Sequence, residues 1–299
     1  MRSFQFIRIL SFKMGEIIDG KKIAEEIKKN LKEEVKALKE KIGSITLATI
    51  LVGDDPASRI YVNMKSKACE EIGITSKVYH LPSDSSEKDV LSLIETLGRD
   101  HSINAILVQL PLPKHISLKK VMSKLPIDKD VDCFNPLNLG SLFFSEQDLA
   151  PCTPKGIMRM LAHHEINLEG KDVVIVNHSI VVGKPLALMF LANDATVQVC
   201  HVKTKNLKEK TKNADILVVA AGKPKLINAE MVKDGAIVID VGINKLEKKI
   251  VGDVSFDEVK EKASLITPVP GGVGPMTIAM LLENTILLTK RQIEGMKNA

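Results

Sequence analysis

Near its carboxyl end the chain runs Ile266-Thr267-Pro268-Val269-Pro270-Gly271-Gly272-Val273-Gly274-Pro275-Met276-Thr277, with six Pro or Gly among the ten residues from Pro268 onward. Pro268, Pro270 and Pro275 fix φ and withhold N–H donors, while Gly271, Gly272 and Gly274 permit positive φ and let a ligand approach bare backbone. The run reads as a ligand rim. A tight turn into a helix starting near Met276 is the plainer alternative. Far upstream, Tyr61 and Lys65 stand four apart in a helical segment and so share a face. Such a pair is also what a surface helix shows when a lysine stem covers a ring. It gains meaning beside Val108-Gln109-Leu110-Pro111-Leu112-Pro113, where an apolar strand ends in a polar Gln and a Pro-rich bend. Ligands of open α/β sheets bind at such strand ends. Asp130 and Asp132 add acids in the loop that follows, where Asp130 equally suits a turn or cap.

A second constellation follows the apolar run Asp172–Val176, where Asn177-His178-Ser179-Ile180-Val181-Val182-Gly183-Lys184-Pro185 leads into a helix. Strand, loop and helix N-terminus form a pyrophosphate site when backbone N–H groups and the helix dipole point at the ligand. The usual G-x-G-x-x-G is missing, so an ordinary strand-to-helix turn stays open. After the next strand, Cys200-His201-Val202-Lys203-Thr204-Lys205 has no acid to accept from a ribose 2′-OH. Its lysines suit a 2′-phosphate, which leans toward NADP, or are simply solvated.

The elements that hold these residues alternate. Apolar residues from Ile23 to Ile42 recur at helical spacing, Ile45–Val52 is a β-branched run, and Asp55-Pro56 writes the start of a helix. Strands at Val78–Leu81 and Ala105–Leu110 alternate with helices around Asp89–Leu97 and Leu118–Met122. A second alternation places strands at Asp172–Val176, Ala195–Val199, Asp215–Val219 and Ala236–Asp240, and near Leu265. The fold class is α/β with two domains and a cleft between them, an N-terminal α/β catalytic unit and a C-terminal Rossmann-like parallel sheet. The expected units are residues 14–152 together with the final helix, 277–299, and residues 153–276.

Composition narrows the function classes. The chain has 299 residues, 44% of them hydrophobic, enough for two medium domains. A net charge of +5 without basic blocks, with 3% aromatics and no Trp, does not imply nucleic acid. No apolar run is long enough to span a bilayer. Cys69, Cys133, Cys152 and Cys200 show no metal or disulfide spacing and read as reduced cytoplasmic thiols, with no metal expected. Residues 1–13 are basic and faintly like a targeting segment; Met14 is an equally good start.

Taken together these residues resemble the bifunctional methylenetetrahydrofolate dehydrogenase/methenyltetrahydrofolate cyclohydrolase family. The motifs are Tyr61-x-x-x-Lys65, Gln109–Pro113, Lys129–Asp132, Pro151–Pro154, Asp240–Asn244 and Pro270–Pro275, in order from about Ile17 to Thr285. The resemblance implies a homodimer of two-domain subunits in which a tetrahydrofolate derivative and NADP meet in the cleft. By the same resemblance Lys65 is the acid/base group, Tyr61 stacks on the folate, Gln109 orients Lys65 and Asp132 holds the pterin. Leu110, Pro270, Gly271 and Gly272 complete the substrate side. Asn177, His178, Ser179, Val202 and Ile243 face the cofactor. An amine pressed against a cationic methenyl group is driven toward its neutral, basic form.

Three departures qualify the match. Asn177-His178-Ser179 stands where the family commonly has Gly-Arg-Ser, and Val202 where a Ser usually follows Cys-His. Asn177 is expected to take the left-handed backbone in place of Gly. His178 gives less than an Arg fork and Val202 gives no hydrogen bond, so NADP binding with weakened discrimination against NAD is expected. Cys133 replaces a usual Gly beside Asp132. Rival readings are a silent folate- or nucleotide-binding protein and an enzyme with one activity, NAD-linked dehydrogenase or cyclohydrolase. A hydroxy- or amino-acid dehydrogenase shares the cofactor unit but leaves Tyr61, Lys65 and Gln109 without a reason.

Overall fold

The computed structural model describes residues 15–247 and 249–298, with side chains to residue 295, so the basic leader and Met14 lie outside the described residues. A short strand β1 (Glu16–Ile17) precedes helix α1 (Gly20–Ile42), which Asp19 caps by accepting from the Lys22 N–H. Strand β2 (Thr46–Val52), buried along its whole length, leads to α2 (Pro56–Ile72). Asp55 caps α2 through the Ser58 N–H and hydroxyl, Pro56 sits where its missing donor costs nothing, and Gly73 ends it at φ +89°. Then come β3 (Thr75–Leu81), α3 (Glu87–Arg99), β4 (Ala105–Val108), α4 (Leu118–Lys124) and α5 (Pro136–Ser141). Strands β3, β2 and β4 form a three-stranded parallel sheet with β2 central.

Helix α6 (Cys152–His163) opens the second half. It continues through β5 (Asp172–Val176), α7 (Gly183–Leu191), β6 (Thr196–Cys200), α8 (Leu207–Thr211), β7 (Ile216–Val219) and β8 (Ile237–Asp240). A hairpin of β9 (Asn244–Leu246) and β10 (Lys249–Val251) precedes α9 (Phe256–Lys260), β11 (Leu265–Ile266) and the final helix α10 (Val273–Asn298). The sheet order is β6-β5-β7-β8-β11-β1, all parallel. The chain steps from β6 back across β5 to β7, so the switch point lies between the carboxyl ends of β5 and β7.

Two features differ from the pattern reading. Glu16–Ile17, placed in the first unit by the expected bounds 14–152, instead pairs with β11 in the second sheet. The Pro/Gly run enters its helix at Val273, not near Met276, so Gly274 and Pro275 lie in the first turn, where a proline displaces no helical hydrogen bond. Helix α10 packs on both α1 and α6, and one continuous core joins Val35 of α1, Leu47 of β2, Met160 of α6, Ile175 of β5 and Leu282 of α10. Fully burying each such side chain contributes about 1.5–3 kcal/mol, so this shared core holds the two sheets in a fixed relation. Among the described residues no helix is long and apolar enough to cross a membrane.

Candidate active site

Lys65 projects from the third turn of α2, and its Nζ donates to Gln109 Oε1 at 3.0 Å. Gln109 immediately follows β4; its own backbone N–H donates to Ile50 O at 2.9 Å and its Nε2 to Leu110 O at 2.6 Å. The second bond turns the amide oxygen, not the nitrogen, toward Lys65. The amine is thus aimed by a neutral amide and makes no direct ion pair there. Residues 129–131 run beside β4: Ile106 N–H donates to Lys129 O at 2.6 Å, and Ile106 bridges Asp130 in parallel. Asp132 therefore emerges at the same sheet end as Gln109. Lys129, buried, caps the end of α3 by donating to Leu97, Gly98 and Asp100 carbonyls, and burial lowers its pKa. Asp130 accepts from the Asn135 N–H and Asn138 Nδ2, which is the turn-holding role open to it from sequence.

Cys133 lies in the left-handed region at φ 56° with its side chain buried, so the backbone that a glycine would take freely is taken here by a cysteine. Its Sγ donates to Leu149 O at 3.5 Å. Cys152 is buried against the Asp132 carboxylate, and burial first and that negative charge second push its thiol well up, leaving it protonated. Asn284 of α10, fully buried, donates to Val131 O and Ala150 O at 2.9 Å each and accepts from Lys155 Nζ at 2.8 Å. One amide thus ties the carbonyls preceding Asp132 and Pro151 to the last helix.

Lys65, Gln109, Leu110 and Asp132 wall a cavity of about 180 Å³ whose opposite side is Val181 and Val182 of the loop before α7. Thr153 and Thr277 complete it, their hydroxyls 3.0 Å apart. Lys65 and the expected cofactor loop therefore border one half-open cleft. Larger grooves, such as the one of about 600 Å³ between α1, α6 and α10, hold no comparable set.

At the switch point Asn177 Nδ2 spans from the end of β5 to Ala220 O, beyond β7, at 2.6 Å. Its Oδ1 accepts from Ser179 N–H and hydroxyl and from Gly183 N–H. Asn177 is not among the residues at positive φ, so the expected left-handed substitute for Gly is corrected: the side chain, not the backbone, makes the turn. With Ser179 Oγ taking Val182 N–H and Ser179 O taking Lys184 N–H, four amides expected to face a phosphate are turned inward. The dinucleotide fit rests instead on close approach. A Cβ added to Gly183 would collide with the Asn177 carbonyl, so helix and strand end meet as tightly as such a site requires.

Two carboxylates hold the loops that follow β7 and β8. Asp253 accepts from the consecutive N–H groups of Ala221, Gly222 and Lys223 and from Asn244 Nδ2. Asp240 accepts from Gly242, Asp253 and Val254 N–H, and burial pushes its carboxyl up to about 6. A pKa raised in the folded state means that the native chain holds a proton that the unfolded chain releases. The associated stability is present below the ordinary carboxylate range and is lost as pH rises through about 6. The shift corresponds to roughly 3 kcal/mol at most. Denaturant titrations of wild type and Asp240→Asn between about pH 4 and 7 should diverge in slope, wild type losing stability relative to the variant as pH rises. Parallel curves would remove Asp240 as the source.

The model of the tetrahydrofolate dehydrogenase/cyclohydrolase catalytic domain matches residues 18–132, and that of the NAD(P)-binding domain matches residues 151–293. The chain belongs to the tetrahydrofolate dehydrogenase/cyclohydrolase family. Bifunctional protein FolD of Campylobacter jejuni is 54% identical over 279 residues, 93% of this chain and 99% of the relative. The crystal structure of the Campylobacter jejuni bifunctional enzyme FolD, methylenetetrahydrofolate dehydrogenase/cyclohydrolase, has a TM-score of 0.90 at 53% identity, covering 92% of this chain and 99% of that one. The Trypanosoma brucei methylenetetrahydrofolate dehydrogenase-cyclohydrolase, complexed with NADP and an inhibitor, also reaches 0.90, at 37% identity over 94% of this chain and 99% of that one.

This tetrahydrofolate dehydrogenase/cyclohydrolase carries both halves of the enzyme in a two-domain α/β chain, with a NAD(P)-binding domain. Its sequence-predicted residues are not all gathered in one place. Lys65, Gln109, Leu110 and Asp132 share the cavity, while Tyr61, half-buried, lies one turn earlier on α2 and is not a wall. Pro270, Gly271 and Gly272 are also not walls: Gly271 O accepts from Lys21 N–H at 2.9 Å, and a Cβ on Gly20 would collide with the Gly272 carbonyl. Asn177 and Ser179 build the cofactor loop, Ile243 stands half exposed beyond β8, and Val202 is 89% exposed. Sequence spacing missed Thr153, Thr277 and Asn284. The available signal for Asn284 was the polar triplet Glu283-Asn284-Thr285 between the apolar stretches Ile278–Leu282 and Ile286–Leu288, where a buried amide must find partners.

Proposed function

We propose that this chain oxidises 5,10-methylenetetrahydrofolate to the methenyl cation with NADP and hydrolyses that cation to 10-formyltetrahydrofolate at one site. The observation that carries this reading is the single cavity walled by Lys65, Gln109 and Asp132 on one side and by the cofactor loop on the other. Holding both partners there replaces an encounter by orientation, and the methenyl group need not leave between steps. NADP, when bound, accepts the hydride from the methylene carbon. Asn177, Ser179 and Gly183 shape the loop that receives it, with His178, Val202 and Ile243 at its margin. Tyr61 stacks on the folate, Asp132 holds the pterin, and Leu110 with Pro270, Gly271 and Gly272 borders the substrate.

For hydrolysis, Gln109 Oε1 fixes Lys65 Nζ. Its neutral amine takes a proton from the attacking water as the new C–O bond forms at the methenyl carbon. The C–N5 bond then breaks, N5 takes a proton as the carbonyl closes, and one proton is released overall. The first unit is residues 14–152 with the final helix, 277–299, and the second is 153–276, save that β1 joins the second unit's sheet. The enzyme works as a cytoplasmic homodimer in one-carbon metabolism; the exposed Val199 on β6, the sheet's edge strand, is consistent with pairing there.

A second reading, a single NAD-linked activity, is favoured by Val202, which leaves no hydroxyl where a 2′-phosphate would be met. Purified enzyme should oxidise methylenetetrahydrofolate with NADP at a kcat/KM at least equal to that with NAD, and should hydrolyse methenyltetrahydrofolate. A far higher kcat/KM with NAD, or no hydrolysis, would replace the first reading by the second.

A further inference from the structure

His178 follows β5 and His201 follows β6, and the fold brings their rings to a centroid separation of 4.7 Å, tilted by 39°. Carboxyl ends of the first two strands of a dinucleotide-binding unit are where the adenosine ribose is met. His201 is pinned: its backbone N–H donates to Thr204 Oγ1 at 2.8 Å, and Lys203 N–H donates to its Nδ1 at 3.2 Å. With Nδ1 accepting, the ring proton sits on Nε2, which is left to donate outward. Both rings are exposed. Neither loop, 177–185 or 200–206, contains an acid, while Lys184, Lys203 and Lys205 lie in them.

Resting on the NADP reading above, we propose that His178 and His201 together form the 2′-phosphate site of this enzyme, two imidazole donors replacing a guanidinium fork and a hydroxyl. Val202, the residue that offers nothing, then ceases to be the deciding position, because its neighbour His201 supplies the donor from the same turn. A ring pair gives two N–H groups from two different strands, so the phosphate is gripped only when the ends of β5 and β6 are in register, as the pairing of Val176 with Cys200 keeps them. Discrimination against NAD then comes from the pair and not from the surface lysines.

The test is calorimetric and needs neither folate nor turnover: adenosine 2′,5′-bisphosphate and adenosine 5′-monophosphate are titrated into wild type, His178→Ala, His201→Ala, His201→Gln and the double alanine variant. Wild type is expected to prefer the bisphosphate by about tenfold or more, the span of a charge-assisted hydrogen bond or two. Each alanine variant should lose several-fold of that preference, His201→Gln should keep part of it through its amide donor, and the double variant should bind the two nucleotides to within about twofold. Both side chains are exposed, so thermal melts should superpose. A double variant that keeps the full preference overturns the pair as the site. Equal binding of the two nucleotides by wild type overturns it as well, with the dinucleotide site intact, whereas binding of neither would remove the cofactor reading itself.

Discussion

Lys65→Met should lower methenyltetrahydrofolate hydrolysis by about 10²–10⁴-fold, the contribution of a positioned acid/base group. Methionine keeps most of the length of the half-buried side chain and removes the amine that Gln109 Oε1 holds at 3.0 Å. Stability is expected to change little, because the lost hydrogen bond sits in a part-buried site and Gln109 retains its bond to Leu110 O. Oxidation of the methylene substrate depends chiefly on juxtaposition with the cofactor, so it should fall less than hydrolysis. Measuring the two half-reactions separately on one preparation decides it. Hydrolysis within tenfold of wild type would mean that the proton goes elsewhere, and the Thr153–Thr277 hydroxyl pair would be the next place to look.

The second large effect is expected far from any reacting atom. Asn284→Ala removes the donors to the Val131 and Ala150 carbonyls and the acceptor of Lys155 Nζ, all in the interior. Lys155 keeps Glu283 and the Asp148 carbonyl, while Val131 O keeps only the Cys152 thiol at 3.7 Å and Ala150 O loses its amide donor. Stripping Ala150 O of its amide donor and leaving Val131 O only that weak thiol should cost about 2–4 kcal/mol, or roughly 3–6 °C in Tm. Since those carbonyls precede Asp132 and Pro151, folate KM should rise while affinity for adenosine 5′-monophosphate holds. A calorimetric shift below about 2 °C would show that water or a neighbouring side chain replaces the amide.

The sequence was legible where one physical rule acts on one segment. Strand Asp172–Val176 and the Asp55-Pro56 start of α2 follow from periodicity and capping, and their bounds agree with the structure. Lys65 and Gln109 meet as expected because helix phase and a strand's polar last residue are local facts. What was not legible depends on distant chain. β1 has only two residues, too short for any period, and its place beside β11 is set by the other end of the sequence. Likewise Asn177 was read through its backbone, whereas its side chain gathers four partners that only the folded loop supplies. His201 drew notice only as a neighbour of the lysines, since ring contact with His178 is a property of two strand ends and not of spacing.

β1 lies in the second sheet and α10 lies against α1, so each half of the enzyme contains chain from both ends of the sequence. No single cut separates the domains: cleaving near residue 150 would leave the N-terminal fragment without its α10 and the C-terminal fragment without its outer strand. The contacts between α1 and α10, among the most distant in the sequence, join its two ends, so the chain pays the closure entropy of a very long loop to make them. Unlike modular two-domain proteins whose parts can be exchanged at a linker, this chain can gain or lose a domain only by insertion, with both junctions rebuilt together.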